Sequence, residues 1–155
     1  MKNFIIYDSY FGNTEKIAKI IGEMINAETI HVNKATINEL KNIDLLVIGS
    51  PTRAFRPTDK IKRFLNEIPA NGLNGVKVAA FDSGIRSEDS PKFLRLMIRW
   101  FGYAAKPILN SLVKKGGKQI APPIGFYVKD VKGPLLDGET TRAKEWAEQI
   151  NTSLI

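Results

Sequence analysis

The chain has 155 residues, 43% of them hydrophobic, which is enough to bury the core of one domain spanning residues 1–155. It contains no cysteine, which excludes disulfides, thiolate metal sites and a cysteine nucleophile. The formal net charge of +7 is compatible with an acidic partner, a phosphate ligand or a nucleic acid, and the scattered basic residues do not select among them.

Neither the first residues nor the most apolar region of the sequence predicts a signal peptide or a membrane span. Only four apolar residues follow Lys2 and Asn3, too few for a signal peptide. The longest apolar region, "FLRLMIRWFGYAAKPILNSLV", is interrupted by two arginines, a lysine and a proline. The basic residues are not interleaved with aromatic residues, so the sequence does not indicate nucleic-acid binding. We therefore expect a cytoplasmic protein with neither membrane nor nucleic-acid partners.

Apolar runs alternate with amphipathic segments along the chain. Strands are predicted at residues 4–7, 29–32, 44–49, 76–82 and 125–128. The last strand could also begin earlier, at 118–120, and Pro122 and Pro123 would then interrupt it or hold it at an edge of the sheet. Helices are predicted at 15–25, 58–67 with Thr58 as cap, 91–103, 108–115 after a break at Pro107, and 139–152. In helix 91–103 the residues at core spacing are Phe93, Leu96, Met97, Trp100 and Phe101. This alternation predicts an α/β fold, a doubly wound five-stranded parallel sheet with helices on both faces.

In such sheets ligands bind beyond the carboxyl ends of the strands, here the loops 8–14, 50–57 and 83–90. The first loop, "DSYFGNT", offers the hydroxyls of Ser9 and Thr14 and a flexible Gly12 before a helix N-terminus, where a phosphate fits. It has neither a Walker lysine nor a G-x-G-x-x-G pattern, which favours a mononucleotide. The alternative interpretation makes Thr14 a helix cap and Gly12 a turn.

The segment "SYFGNT" after the first strand resembles the phosphate loop of the flavodoxin family. "GSPTRAF" and "FDSG", after the third and fourth strands, resemble the second and third flavin loops of that family. The resemblance spans the chain and implies the short-chain, flavodoxin-like type with strand order 2-1-3-4-5. It also implies that flavin mononucleotide (FMN) is held without a covalent bond.

The resemblance assigns residues of all three loops to the cofactor. The phosphate would be held by Ser9, Tyr10, Phe11, Gly12, Asn13 and Thr14. One side of the flavin ring would be lined by Ser50, Pro51, Thr52, Arg53, Ala54 and Phe55, and the other by Ser83, Gly84, Ile85 and Arg86.

Three features depart from the family pattern. Many flavodoxins stack two aromatic residues on the flavin, but Phe55 is the one aromatic residue in the second loop, and it either stacks on the flavin or packs under the next helix. Tyr10 and Phe11 stand where the typical phosphate loop has hydroxyl residues. Arg53, Arg56 and Arg86 lie in or beside the flavin loops, whereas many flavodoxins are acidic. One cation ~8 Å from the reduced ring is worth about 2 kcal/mol, on the order of 90 mV, at an effective dielectric of ~20. We therefore expect a less negative reduction potential, unless solvent screens these arginines.

The remaining titratable residues predict no catalytic site. His31 is expected to be structural or exposed, away from the loops. Asp8 and Asp82 end strands near the predicted site, but no third metal ligand accompanies them.

The resemblance implies an electron carrier between redox protein partners, and the positive charge favours acidic ones. A monomer or weak dimer is expected. Two other functions stay open: a small FMN-dependent NAD(P)H:quinone or flavin reductase, and a non-redox domain on the same fold. A response regulator is disfavoured because the third strand ends in Gly49 and Ser50 rather than in a phosphoacceptor aspartate.

Overall fold

The computed structural model describes residues 1–53, 55–86, 91–93, 96 and 103–155. Its strands are β1 (Asn3–Tyr7), β2 (Glu28–His31), β3 (Leu45–Pro51), β4 (Lys77–Ile85), β5 (Lys118–Gln119) and β6 (Ile124–Val128). Its helices are α1 (Asn13–Met24), α2 (Asp59–Glu67), α3 (Ala105–Lys114) and α4 (Glu139–Leu154), with a 3₁₀ turn at Ile37–Leu40. Among the described residues, no helix combines the length and apolarity needed to cross a bilayer.

The strands form one parallel sheet in the order β2-β1-β3-β4-β5, which confirms the predicted topology. β5 and β6 both pair with β4, at its two ends, because Pro122 and Pro123 interrupt the last strand between them.

Helices cover both faces of the sheet, as predicted. On one face α1 and α4 pack through Ile17, Ile21 and Trp146, and on the other α2 and α3 pack through side chains such as Phe64 and Ile108. The inner strands are apolar on both faces because each face has its own core. Gly49 in β3 makes room for this packing, since a Cβ at that position would overlap the Phe81 ring.

Three sequence predictions about the helices and loops differ from the structure. Pro107 does not break a helix: it lies in the first turn of α3, where an N–H would have no intrahelical acceptor. β3 and β4 run to Pro51 and Ile85, so residues predicted in loops lie on strand ends. Strand pairing explains both extensions, because β3 pairs with β4 as far as Pro51 and β4 pairs with β6 as far as Ile85.

The predicted core face of helix 91–103 is also not confirmed for the two of its residues that the structure describes. Phe93 and Leu96 are 68% and 55% exposed. Residues of α2 and α3 belong to the core on one face of the sheet, and Phe93 and Leu96 do not. Helical spacing alone identifies an apolar face but not what it packs against. Met97, Trp100 and Phe101 lie outside the described residues.

Candidate functional site

The loop between β1 and α1 presents unpaired backbone amides. α1 begins at Asn13, and its N-cap is Gly12, with a left-handed φ of 89° and no capping side chain. The Gly12 amide donates to the Ser9 hydroxyl at 3.1 Å, and the first intrahelical donor is Lys16, whose N–H reaches the Gly12 carbonyl at 3.0 Å. The amides at positions 13 to 15 therefore have no acceptor within the helix and can bind an anion. The alternative interpretation of Thr14 as the helix cap is wrong.

Thr14 instead joins the first loop to the end of β4. Its side chain is buried, and its hydroxyl lies 2.8 Å from the Ser83 hydroxyl. Two predicted loops that are distant in sequence are thus fixed to each other by a buried hydrogen bond.

The three predicted segments surround one cavity of about 430 Å³. This volume lies within the usual range for small-molecule sites, ~300–1,000 Å³. The predicted residues that line the cavity are Ser9, Tyr10, Phe11, Asn13, Thr14, Pro51, Thr52, Arg53, Ser83, Gly84 and Ile85.

The second segment forms one wall of this cavity. Thr52 is held at both ends, since its amide donates to the Ser83 carbonyl at 2.9 Å and its hydroxyl accepts from the Ala104 amide at 3.1 Å. Arg53 lies with its guanidinium carbon 4.9 Å from the Tyr10 ring centroid, which places a cation over an aromatic face at the cavity wall.

Four predicted residues lie outside the lining. Ser50 is fully buried: its hydroxyl donates to the Pro51 carbonyl at 2.9 Å and accepts from the Thr58 amide at 3.1 Å, so it supports the start of α2. Phe55 is half-buried in the turn after Arg53, with φ 66°, and does not border the cavity. Gly12 and Arg86 are exposed, and neither of them lines the cavity. A fifth predicted residue, Ala54, lies outside the described residues.

Two lining residues escaped the sequence analysis. Val128 ends β6, and Val131 follows it in the next loop. That loop is tied to α1, because the Asn13 side-chain amide donates to the Lys132 carbonyl at 3.3 Å. The rule that ligands bind beyond strand ends would have included this loop had it been applied to the last strand.

Tyr103 supports the third wall. Its hydroxyl donates to the Ile85 carbonyl at 2.9 Å, and its ring meets Tyr127 edge-on at 6.4 Å. A Cβ at Gly84 would lie 3.6 Å from this ring, so the strand end and the ring pack closely.

Asp8 and Asp82 are both buried behind the cavity, but with different partners. Asp82 accepts from the Ala105 amide at the start of α3, at 2.9 Å, and burial raises the pKa of its carboxyl to about 7. Asp8 accepts from the Ser9 amide at 2.9 Å, and the same oxygen lies 3.3 Å from His31 Nε2. His31 therefore contacts the residue that begins the first loop. In the described part of the chain, no three His, Asp or Glu side chains converge as metal ligands.

The chain is similar to known proteins along most of its length. The sequence model of the family described as Flavodoxin matches residues 5–150. A flavodoxin of Aquifex aeolicus is 28% identical over 127 residues, which cover 74% of this chain and 69% of that protein. A flavodoxin of Clostridium beijerinckii is 35% identical over 86 residues, covering 51% of this chain and 62% of that protein.

The fold has close counterparts among solved structures. The crystal structure of oxidised Flavodoxin 1 from Bacillus cereus superimposes with a TM-score of 0.78 at 20% identity, covering 98% of each chain. The family match extends over nearly the whole chain, from β1 into α4, and includes all the segments that surround the cavity. The chain belongs to the flavodoxin family.

Proposed function

We propose that this chain binds FMN in the 430 Å³ cavity and carries electrons between redox protein partners. The observation that carries the proposal is the meeting of the unpaired α1 amides with the ends of β3 and β4 around one cavity. Membership of the flavodoxin family supports a flavin as the ligand.

The donors of the first loop suit the phosphate of FMN. The amides of Asn13 and Thr14 begin α1, where the helix dipole favours negative charge, and the Ser9 hydroxyl is close by. Gly12 has φ 89°, and a Cβ built there would meet nothing within 4 Å, so backbone conformation rather than space favours glycine.

The other walls suit a flat, partly polar ring. Pro51, Ile85, Val128 and Val131 supply apolar surface, and the polar residues Thr52 and Ser83 line the same cavity. Tyr10 and Phe11, rather than Phe55, are the aromatic residues of the wall, and they are 50% and 45% exposed.

The lining favours a carrier over an enzyme with its own acid or base. Bound FMN would supply the electron-transfer chemistry, and the protein would bind it, orient it and restrict water. Among the described residues that line the cavity there is no Asp, Glu, His or Lys to move a proton. Asp82 is behind the wall, where its carboxyl is held against α3.

Comparing FMN with riboflavin tests the phosphate assignment. Riboflavin has the same ring but no phosphate, and two charge-assisted hydrogen bonds of ~1.5–3 kcal/mol each correspond to about 10²–10⁴ in affinity. We expect FMN to bind more tightly by this factor in fluorescence titrations of the flavin-free protein. Replacing Gly12 by valine should weaken FMN binding while leaving riboflavin binding nearly unchanged. Equal affinity for the two flavins in the wild type would refute the assignment.

Turnover measurements separate the carrier from the reductase alternative. The FMN-loaded protein is mixed with a nicotinamide donor and a quinone, and the rate of donor oxidation is followed. We expect no sustained turnover above that of free FMN. Rapid, saturable turnover would instead make the chain a reductase.

A further inference from the structure

A second cavity adjoins the FMN cavity and is lined by cations. Its volume is about 330 Å³, and it shares Tyr10 and Arg53 with the first cavity. Arg56 and Lys62 contribute the other positive charges, and Asp59 contributes one carboxylate. We call this cavity the basic pocket; the flavin-binding assignment uses Tyr10 and Arg53 but not Arg56, Asp59 or Lys62.

The cations of the basic pocket are poorly neutralised by the rest of the chain. Lys62 Nζ is 4.0 Å from Asp59 Oδ1, and the side chain of Asp59 is 90% exposed, so this pair is weak. The guanidinium carbon of Arg53 lies 4.9 Å from the Tyr10 ring centroid, and contact with an aromatic ring does not neutralise its charge. Neither Arg53 nor Arg56 forms an ion pair with a carboxylate of the described chain, so the pocket can accept negative charge.

The charged residues that line the pocket lie at the protein surface. Arg53, Arg56 and Asp59 are all exposed, so these groups stay in contact with solvent. Such an arrangement suits carboxylates presented by another protein's surface better than a sequestered small anion.

Apolar side chains beside the pocket complete a docking surface. Tyr10, Phe11 and Val131 are 50%, 45% and 61% exposed around the FMN cavity, and exposed Lys132 follows Val131. An apolar centre with a charged rim is the usual pattern of a protein interface. Because the basic pocket adjoins the FMN cavity, a protein anchored there lies next to the cofactor site.

We propose that the basic pocket binds carboxylate side chains of an acidic redox protein and so docks that partner beside the FMN cavity. That the partner is a redox protein rests on the proposed function, whereas the binding of carboxylates by the basic pocket does not. Charge complementarity identifies the partner class, since opposite potentials steer and orient protein pairs.

The test is isothermal titration calorimetry of the FMN-loaded chain with a plant-type ferredoxin, which is a strongly acidic redox protein. The pocket variant combines Arg56→Gln and Lys62→Gln, neither of which lines the FMN cavity. The control variant combines Lys118→Gln and Lys144→Gln, which removes the same charge from exposed positions in β5 and α4. FMN content is measured first in each protein by absorbance, so loss of the cofactor is distinguished from loss of docking.

We expect the pocket variant to weaken ferredoxin binding about tenfold or more at low salt, and the control about threefold or less. Equal weakening by the two variants would mean that net charge alone attracts the partner, which overturns the proposal. Failure of the wild type to bind ferredoxin at low salt would also overturn it. Inorganic pyrophosphate serves as a small-anion probe: if it binds through Arg56 and Lys62 while ferredoxin does not, the pocket is a small-ligand site instead.

Discussion

The buried carboxyl of Asp82 predicts an unusual dependence of stability on pH. Asp82 is 1% exposed in the C-terminal half of β4, and its one described hydrogen bond comes from the Ala105 amide at 2.9 Å. Burial raises its pKa from 3.8 to about 7, because the charged form loses its hydration, while the Ala105 amide opposes this rise only in part.

The sign of the effect follows from proton binding in the two states. Between pH 4 and pH 7 the folded chain holds a proton on Asp82 that the unfolded chain has released, so stability falls as pH rises through this window. A difference between 3.8 and about 7 corresponds to ~4 kcal/mol, at 1.36 kcal/mol per pKa unit. The contribution is fully present below pH 3.8 and lost above about pH 7.

Asp82→Asn removes this titration while keeping the side chain's shape and an acceptor for the Ala105 amide. The variant should therefore gain stability relative to the wild type as pH rises, by up to ~4 kcal/mol above pH 7. Urea unfolding of both proteins, in the same flavin state at pH 5, 6, 7 and 8, measures the difference. Asp130→Asn, at an exposed site, is the control and should show no such trend. A constant difference between wild type and Asp82→Asn at all four pH values would refute the reasoning.

Three further predictions concern packing, the cavity wall and electrostatics. Gly49→Ala should lower the free energy of unfolding by ~1–3 kcal/mol in urea, because the new methyl overlaps the Phe81 ring; unchanged stability would contradict the tight packing. Thr14→Val should weaken FMN binding and cost ~1–3 kcal/mol of stability by leaving the Ser83 hydroxyl without its partner, and a double-mutant cycle with Ser83→Ala should be non-additive. Additive effects would show that the two hydroxyls do not interact. Arg53→Gln should make the flavin reduction potential more negative, by at most on the order of 90 mV, in spectroelectrochemical titration; a potential that does not move would mean that solvent screens this cation.

The alternation of elements could be predicted because each one buries a regular apolar pattern. The inner strands are continuous apolar runs, and Thr58 caps α2 by accepting from the Ile61 amide at 3.4 Å, as the sequence indicated. The predicted first loop does precede α1, because Gly12 adopts a left-handed conformation that ends the turn.

What could not be predicted depends on contacts between distant segments. β4 continues to Ile85 because β6 pairs with it, which no pattern within "FDSG" shows. The contact of Arg53 with Tyr10 and the approach of Val131 to the cavity likewise arise only when three loops meet. The exposure of Phe93 shows the same limit, since helical spacing identifies an apolar face but not its partner.

Cofactor retention tests the central claim most directly. The protein is incubated with excess FMN, free ligand is removed by gel filtration, and the visible absorption spectrum is recorded before the bound flavin is released and identified. We predict a stoichiometric flavin band, with FMN as the released compound. A colourless protein that rejects FMN would contradict the proposal that the α1 amides and the cavity beside them bind this cofactor.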